Sequence, residues 1–407
     1  MKIIVYEHVS GGGYAEQPIP SSVLAEGFGM LREIVADYTE AGHEVTVLLD
    51  ARIARLHPPL EVFCVLPIYF SKESERFLKN IATINDATYI IAPETGQTLQ
   101  LIVELAEQTG KISLNCESKA IKTVADKAAL YEDLQKKGFR TPKTLVLNSS
   151  DSLAQVKLAI NREFRYPVII KPVDGVGCGG LSIIKEEAHV KKAIEKVKAD
   201  SNAPHFVVQQ FIEGEPASVS LLCNGKKALA LSLNRQSITL AETNEPSSYD
   251  GGCVPFNHPL KQESLSLAEE VVESFSGLRG YVGVDLVLAK NGPYVVDVNP
   301  RLTTSYVGLS KVANFNVAEA SINSVINGQL PFKHENRGFA CFSKIETHIS
   351  SAIIFQKAAQ SYNIISPPFP LGKKTKSYSL VIGEGESLDK AKLDLEEAKK
   401  NLLNNIP

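Results

Sequence analysis

The segment IIKPVDGVGCGGLSII, residues 169–184, decides the fold, because it joins an apolar strand to a loop of nearly bare backbone. Lys171 ends the apolar run, and the loop DGVGCGG follows at 174–180. Glycines leave backbone N–H groups free to converge on phosphate oxygens, and Lys171 adds a point charge beside them. The order differs from G-x-x-x-x-G-K-[ST], because here the lysine precedes the glycines. A plain turn has the same composition, so nucleotide binding needs an independent signal.

That signal lies in VDLVLAKNGPYVVDVNPR, which predicts a β-hairpin around the turn at 291–292. Asp285 lies on the first strand, and Asp297 and Asn299 lie two residues apart on the second, hence on one face. Pairing should therefore bring two carboxylates and an amide oxygen together, and such hard donors suit Mg²⁺. The alternative is a pair of solvated strand residues, but apolar neighbours argue against it, because unpaired carboxylates are costly to bury.

Arg301 follows Asn299 on the same side and is placed to meet the negative charge of a transferring phosphate. A third element, FVVQQFIEGE, is an apolar strand that ends in amide and apolar side chains. These side chains offer an edge and a wall for a nucleotide base, and the acid at the end offers an acceptor for a ribose hydroxyl. The residues concerned are Gln209, Gln210, Phe211, Ile212 and Glu215. A core strand that leaves its sheet would have the same appearance.

The composition is that of a globular enzyme with more than one core. The chain has 407 residues, of which 44% are hydrophobic and 22% charged. Its formal net charge of −3, without a basic block, excludes an extended nucleic-acid surface but leaves room for a small anionic ligand. The six cysteines show no metal-ligand spacing and are expected to be reduced, buried or half-buried thiols. No segment predicts a signal peptide or a membrane span, so a cytoplasmic protein is expected.

The first part of the chain alternates strands and helices, which predicts a parallel sheet. KIIVYEHV, EVTVLLD and ATYIIAPET read as strands, and SSVLAEGFGMLREIVADYTEAG between them reads as a helix. We therefore predict a Rossmann-like domain over residues 1–115. The loop SGGG follows its first strand, where such folds often bind ligands, so Ser10 and Gly11 are candidate substrate contacts. A plain flexible loop is the alternative.

The order of ADK, VIIKPVDGVGCGG, VVQQFIEGE, GYVGVD and VVDVNPR resembles the ATP-grasp superfamily of carboxylate-amine ligases over roughly residues 116–330. The resemblance implies an ATP-grasp fold, in which two α+β subdomains clamp ATP, after the Rossmann-like domain. Residues 116–200 would form the lid subdomain and 201–333 the core with the metal site, while 334–407 would be a C-terminal extension.

The resemblance also implies roles for single residues. Lys127 and Lys171 would contact the ATP phosphates under a glycine lid that includes Gly177, Gly179 and Gly180. The adenine pocket would be lined by Gln209, Gln210, Phe211 and Ile212, which we call the hinge residues, and Arg301 would steady the transferring phosphate. Asp285, Asp297 and Asn299 would bind Mg²⁺ or Mn²⁺. The family's ribose-binding acid usually falls where Pro216 stands, so Glu215 is a neighbouring substitute.

YEHVSGGG, GEPASVSLL and LNRQ followed by YDGGCVP are similar to the tyramine-glutamate ligase group of methanofuran biosynthesis. This narrower resemblance implies that the γ-carboxylate of glutamate, activated by ATP as an acyl phosphate, is joined to an aromatic amine with release of ADP and phosphate. Arg235, Gly251 and Gly252 would lie near the acceptor. Small-molecule substrates are thus expected, with neither nucleic acid nor membrane as partner, and dimers are common among such ligases.

Two other functions stay open at this point. A carboxyphosphate-forming enzyme of the carbamoyl-phosphate synthase kind would use the same phosphate chemistry, but it usually needs a second ATP-binding half, and the chain has one set of motifs. A non-catalytic ATP-binding sensor would bind ATP without releasing ADP. The presence of the expected metal ligands together with Arg301 argues against the sensor.

Overall fold

The structure is a computed structural model that describes residues 1–175, 177–347, 352–371 and 376–404. Its first unit is a parallel sheet of five strands in the order β3-β2-β1-β4-β5 with helices between the strands. The elements are β1 Lys2–Glu7, α1 Ser21–Glu40, β2 Glu44–Asp50, α2 Ala51–Ala54, β3 Cys64–Ile68, α3 Ser71–Ala82, β4 Ala87–Ile91, α4 Thr98–Glu107 and β5 Ile112–Ser113. The predicted parallel sheet is confirmed.

The second unit is a four-stranded antiparallel sheet in the order β6-β9-β7-β8, preceded by two helices. The elements are α5 Ser118–Ala125, α6 Lys127–Lys136, β6 Thr144–Asn148, α7 Leu153–Glu163, β7 Val168–Pro172, β8 Ser182–Ile184, α8 Val190–Asp200 and β9 His205–Gln210. The sheet and the helices α7 and α8 have a core of their own, whereas α5 and α6 pack into the core of the neighbouring units. Because β9 completes this sheet, the unit extends beyond the boundary predicted at residue 200.

The third unit is an antiparallel sheet of eight strands, in the order β14-β13-β10-β11-β12-β15-β17-β16. The elements are β10 Glu215–Asn224, β11 Ala228–Thr239, β12 Ser248–Val254, α9 Lys261–Glu273, β13 Arg279–Ala289, β14 Gly292–Asn299, α10 Tyr306–Val312, α11 Val317–Ile326, β15 Phe339–Thr347, α12 Ala352–Ala359, β16 Ile364–Ser366, β17 Ser377–Gly385 and α13 Leu388–Asn404. Both hairpins predicted from Asn-Gly turns, β10–β11 and β13–β14, are present.

The strands that follow residue 334 belong to the eight-stranded sheet of the third unit. The strand β15 pairs with β12, and β17 pairs with β15. The largest hydrophobic core combines β1 and α1 with α10 and β17, for example through Ile3, Phe28, Tyr306 and Ile382. The N-terminal sheet and the C-terminal strands therefore share one core, and a domain boundary at 334 does not match the packing.

Two cysteines differ from the sequence-based expectation. Cys253 on β12 and Cys341 on β15 are register partners, and a disulfide joins them. Adjacent strands bring such side chains together on one face, which spacing along the chain does not reveal. Cys64, Cys116, Cys178 and Cys223 are free thiols, as expected.

Candidate active site

The acidic pair of the β13–β14 hairpin is the centre of the site. Asp285 and Asp297 are register partners, and Asn299 lies opposite Gly283 on the same pair of strands. Asp285 accepts hydrogen bonds from Asn299 Nδ2 at 3.0 Å and from Gln236 Nε2 at 2.9 Å. Burial, followed by repulsion from Asp297, raises the pKa of Asp285 to about 6. Two carboxylates held this close favour a cation between or beside them.

In the structure that cation is Lys127. Its Nζ lies 2.6 Å from Asp297 Oδ2, and the lysine side chain is buried. Burial alone would lower the pKa of Lys127, but attraction to Asp297 outweighs it and the pKa is raised. Lys127 is the first residue of α6, and the preceding Asp126 caps that helix by accepting from the backbone N–H groups of Ala128 and Ala129.

Lys171, at the end of β7, approaches the pair from the second unit. Its Nζ donates to Tyr131 Oη at 2.6 Å, and Tyr131 in turn donates to the carbonyl of Val296 on β14. Burial, followed by repulsion from Lys127, lowers the pKa of Lys171 to about 8. Two buried amines therefore lie beside two carboxylates. A phosphate group that bound the amines would compete with the carboxylates for them.

Arg301 forms a two-pronged ion pair with Glu94. Arg301 Nε and Nη2 donate to the two carboxylate oxygens of Glu94 at 2.8 and 3.0 Å. Burial would lower the pKa of Arg301, but the charge of Glu94 outweighs it and raises the pKa. Glu94 follows β4 of the parallel sheet, so this pair joins the first unit to the loop after β14.

The hinge residues lie between the two antiparallel sheets. Gln210, Phe211, Ile212 and Glu215 line a cavity of about 560 Å³ whose other wall includes Leu288 and Tyr294 of the β13–β14 hairpin. Gln209 is buried and donates to Thr144 Oγ1 at 2.9 Å, so its amide is already engaged inside the β6–β9 pair. A ligand in this cavity would therefore meet backbone groups and apolar side chains of the hinge, and not the Gln209 amide.

The glycine loop folds back over the end of β7. Gly177, Cys178 and Gly180 adopt positive φ of 57°, 67° and 63°, a conformation that favours glycine. A side chain at Gly179 would lie 2.7 Å from Asp200 Oδ1, so the loop packs closely against α8. Val176, within this loop, lies outside the described residues. Burial raises the pKa of the Cys178 thiol to about 12, which fits a protonated spacer and not a nucleophile.

The structure does not bring every predicted residue to the cluster. On β11, Gln236 contacts Asp285, so the neighbouring Arg235 points to the opposite face of the sheet. There Arg235 lies 3.8 Å from Glu215 and near the ring of Phe256. Glu215 and Arg235 therefore lie on the opposite face from Asp285, because side chains alternate along each strand.

The remaining residues predicted to contact the substrate take part in a backbone turn or in strand pairing. Ser10 is fully buried, and its N–H and hydroxyl donate to Glu7 at 2.7 and 2.6 Å, so its hydroxyl is already engaged within the turn. Gly11 closes the same turn with its N–H on the Glu7 carbonyl at 2.7 Å. Gly251 and Gly252 belong to β12, and Gly252 pairs with Gln236 on one side and Phe342 on the other.

The donor set fits a small divalent cation. Among the described residues no three His, Cys, Asp or Glu side chains gather as a metal group, so a cation here would use two carboxylates and the Asn299 amide oxygen. In the structure Asn299 turns its Nδ2 to Asp285, and Lys127 neutralises Asp297. Mg²⁺ is commonly held by one or two carboxylates with water and nucleotide phosphates, which matches this set.

Several residues of the site escaped the sequence analysis. Glu94, Tyr131 and Gln236 contact Arg301, Lys171 and Asp285 respectively, but they come from three different units. Only Glu94 carries a signal, because it follows a predicted parallel strand at the edge where ligands bind. Glu26 and Lys344 were also missed, and they form a further ion pair near the cluster.

Comparison with known proteins agrees with the ATP-grasp resemblance of the sequence. Residues 124–305 match the ATP-grasp domain family, and residues 43–121 match the pre ATP-grasp 3 domain. A tyramine–L-glutamate ligase from Methanocaldococcus fervens is 30% identical over 339 residues, which cover 83% of this chain and 98% of that protein. The enzyme of the same name from Methanocaldococcus jannaschii is 28% identical over 83% of this chain and 93% of its own.

Among solved structures, an ATP-grasp superfamily protein from Archaeoglobus fulgidus is similar to this chain with a TM-score of 0.64 and 25% identity, over 95% of this chain and 99% of that one.

Fold, site and matched domains define an ATP-dependent ligase that forms a carbon–nitrogen bond. Within that class, the chain belongs to the ATP-grasp carboxylate-amine ligases of the tyramine–glutamate ligase group. In the part of the chain that the structure describes, no helix is long and apolar enough to cross a membrane.

Proposed function

We propose that this protein joins the γ-carboxylate of glutamate to an aromatic amine of the tyramine kind, through an acyl phosphate, with release of ADP and phosphate. The names of the two Methanocaldococcus relatives support the choice of substrates. The cluster of buried amines, carboxylates and Arg301 supports the phosphoryl transfer. The homodimer and the cytoplasmic location stay predictions.

In the first step a carboxylate oxygen of glutamate attacks the γ-phosphorus of ATP, and the bond from that phosphorus to the bridging oxygen breaks. ADP leaves with the electron pair, and the acyl phosphate forms. Lys127 and Lys171 bind the phosphate oxygens, and Arg301 faces the transferring group. Asp285, Asp297 and Asn299 would hold Mg²⁺ or Mn²⁺, which when bound neutralises phosphate charge.

In the second step the unprotonated amine attacks the acyl carbon, the carbon–oxygen bond to phosphate breaks, and the nitrogen loses a proton. Phosphate is a far better leaving group than oxide, which is why ATP is consumed. Water would compete with the amine for the acyl phosphate, so the active site has to exclude it. In this proposal the glycine loop of residues 177–180 covers the reacting groups and keeps water out.

The observation that carries the proposal is the pairing of Asp297 with both Asp285 and Lys127. Replacement of Asp297 by Asn should leave a folded protein whose ADP release falls about a hundredfold or more, because a charged ligand is lost where charge develops. Asp37→Asn is the control, since Asp37 is a half-buried aspartate that binds Tyr306 away from the cluster. ADP release is measured with glutamate and tyramine, and near-normal turnover of Asp297→Asn would refute the assignment.

The substrates are tested by crossing a panel of acids with a panel of amines and following ADP and the mass of the product. Release that requires both glutamate and an aromatic amine, with the expected amide, supports the proposal. ADP release with glutamate alone that yields a hydroxamate on addition of hydroxylamine supports the acyl phosphate. Amide formation from a different acid, with glutamate inert, would refute the substrate assignment and leave the ligase chemistry in place.

A further inference from the structure

A second buried ion pair lies near the acidic cluster and has no part in the chemistry described so far. Lys344 Nζ on β15 lies 2.5 Å from Glu26 Oε1 on α1, with side-chain exposures of 9% and 15%. One partner comes from the N-terminal unit and the other from the strands after residue 334. Both therefore lie outside the residues 124–305 that match the ATP-grasp domain.

Register places Lys344 on the face of the large sheet that carries Asp285, which we call the Asp285 face. Gln236, Gly252 and Phe342 are successive register partners across β11, β12 and β15. Gln236 contacts Asp285, so this row lies on the Asp285 face. Lys344 follows Phe342 by two residues and therefore points to the same side.

The loop after β14 brings Glu26 to the same place. Thr304 Oγ1 donates to Glu26 Oε2 at 3.2 Å, and Thr304 belongs to the loop that also carries Arg301. The next residue, Ser305, lies 3.3 Å from Ser218 through their hydroxyl oxygens, and Ser218 is the register partner of Asp285. Two hydroxyl contacts, one strand pairing and the adjacent positions of Thr304 and Ser305 thus link Glu26 to Asp285.

Two side chains, Tyr249 and Cys178, have pKa values that depend on charges of both the Glu26–Lys344 pair and Asp285. Burial raises the pKa of the Tyr249 phenol, and the charges of Glu26 and Asp285 act in the same direction. Burial likewise raises the pKa of Cys178 in the glycine loop, where the charges of Asp285, Glu26, Lys171 and Lys344 all act. The charges of the Glu26–Lys344 pair and of Lys171 therefore all act on the same thiol in the glycine loop.

Stability alone gives little reason for such a pair. A buried ion pair loses about as much by leaving water as it gains by attraction, so apolar side chains would hold α1 against β15 equally well. Glu33, further along α1, already forms a comparable ion pair of 2.6 Å with Lys311 on α10. Glu26 and Lys344 offer what a zwitterionic ligand needs, an anion for its ammonium group and a cation for its carboxylate.

We propose that Glu26 binds the α-ammonium group and Lys344 the α-carboxylate of the amino-acid substrate, so that its side-chain carboxylate reaches the phosphoryl group beside Arg301. The inference rests on the proposed function, and it adds the residues that select an α-amino acid. Binding exchanges one ion pair for two, so each buried charge keeps an opposite partner. The two residues position the substrate and take no part in bond formation.

The first test uses the wild-type enzyme and glutamate analogues that lack one group each. N-acetylglutamate lacks the ammonium charge, glutamate α-amide lacks the α-carboxylate, and glutarate lacks both. Each should show kcat/KM lower than glutamate by about 30-fold or more, because a buried charge would lose its partner. Glutarate used as well as glutamate would overturn the inference while the ligase function stands.

The second test joins variants to analogues. Glu26→Gln should raise the KM for glutamate about 30-fold or more, leave the KM for ATP unchanged, and lose the preference for glutamate over N-acetylglutamate. Lys344→Met should lose the preference for glutamate over its α-amide in the same way. A merely structural role would lower the melting temperature without removing a preference for one analogue.

Glu33→Gln and Lys311→Met are the matched controls, because they break the comparable ion pair on the same helix. They should cost similar melting temperature and leave every KM unchanged. Glutamate KM values of the Glu26 and Lys344 variants within twofold of wild type would overturn the inference. An enzyme that releases ADP with some other acid and never with glutamate would instead refute the proposed substrate.

Discussion

Lys171 changes its charge state at mildly alkaline pH. Burial and the nearby Lys127 lower its pKa to about 8, so the lysine is charged below that pH and neutral above it. Phosphate binding requires the charged form. The affinity for ATP should therefore fall as the pH rises, with the dissociation constant increasing about tenfold from about pH 7 to about pH 9.

Titration calorimetry with ATP at constant magnesium across that range measures the effect. Lys171→Arg should flatten the dependence, because a guanidinium keeps its charge throughout. Lys171→Met should bind ATP weakly at every pH. A wild-type dissociation constant that does not change between pH 7 and 9, with Lys171→Met equally flat, would show that this amine does not hold the phosphate.

Single residues also show which parts of the candidate site could be predicted from the sequence. Near the turn Leu286 pairs with Val295, and a register shift between Asp285 and Leu286 puts Asp285 opposite Asp297, which the sequence does not reveal. The hairpin that carries the acidic pair was predictable, because an Asn-Gly turn joins its strands. The partners Glu94 and Tyr131 were not, because each is distant in sequence and meets the site only through packing between units. The position of Arg235 on the other face of the sheet was not predictable for a related reason, since its face depends on strand register.

At the scale of elements, the N-terminus of α6 controls where Lys127 sits. Asp126 caps this helix and is itself exposed, so Asp126→Ala removes the cap without opening a cavity. The loss should cost about 1 kcal/mol of folding free energy. Because Lys127 is the first helical residue, fraying of that turn should also raise the KM for ATP severalfold.

Ser152 provides the matched control. It is an exposed N-cap of α7 within a capping box, and α7 packs into the separate core of the second unit. Ser152→Ala should cost a similar free energy of unfolding and leave the KM for ATP unchanged. Denaturant unfolding and steady-state kinetics measure the two quantities. An equal KM for both variants would mean that the α6 cap only stabilises the fold.

The elements that were predicted from sequence are those with a clear hydrophobic period or a recognisable turn. The strand β12, SYDGGCV, was missed because Gly251 and Gly252 resemble a loop, although close approach to β11 and β15 explains both. The strands β15 to β17 were also missed, because their apolar faces are completed by the helices α1, α10, α12 and α13, most of them distant in sequence.

At the scale of the whole molecule, the candidate active site combines residues from all three units of the fold. The parallel sheet provides Glu94, the second unit provides Lys171, and the large sheet provides the acidic pair. The cores are shared in the same way, since one cluster contains residues from β1 to β17. Contacts between units should therefore affect turnover as well as stability.

The Glu94–Arg301 pair tests this expectation. Glu94→Gln leaves a buried guanidinium without its counter-charge, which should cost about 3 kcal/mol of stability. It should also lower kcat about tenfold or more, since a neutral amide keeps only one acceptor for the two hydrogen bonds that orient Arg301. The dissociation constant of ATP should stay near that of the wild type, because Lys127 and Lys171 are untouched.

Glu33→Gln is the control here too, because it breaks the buried Lys311 pair between α1 and α10 without contacting the acidic pair. Single-turnover ADP formation separates the chemical step from product release. A purely structural ion pair would make both variants lose melting temperature alike and keep kcat. Partial recovery of kcat by Glu94→Asp, which restores the charge with a shorter reach, would show that the parallel sheet positions Arg301 for phosphoryl transfer.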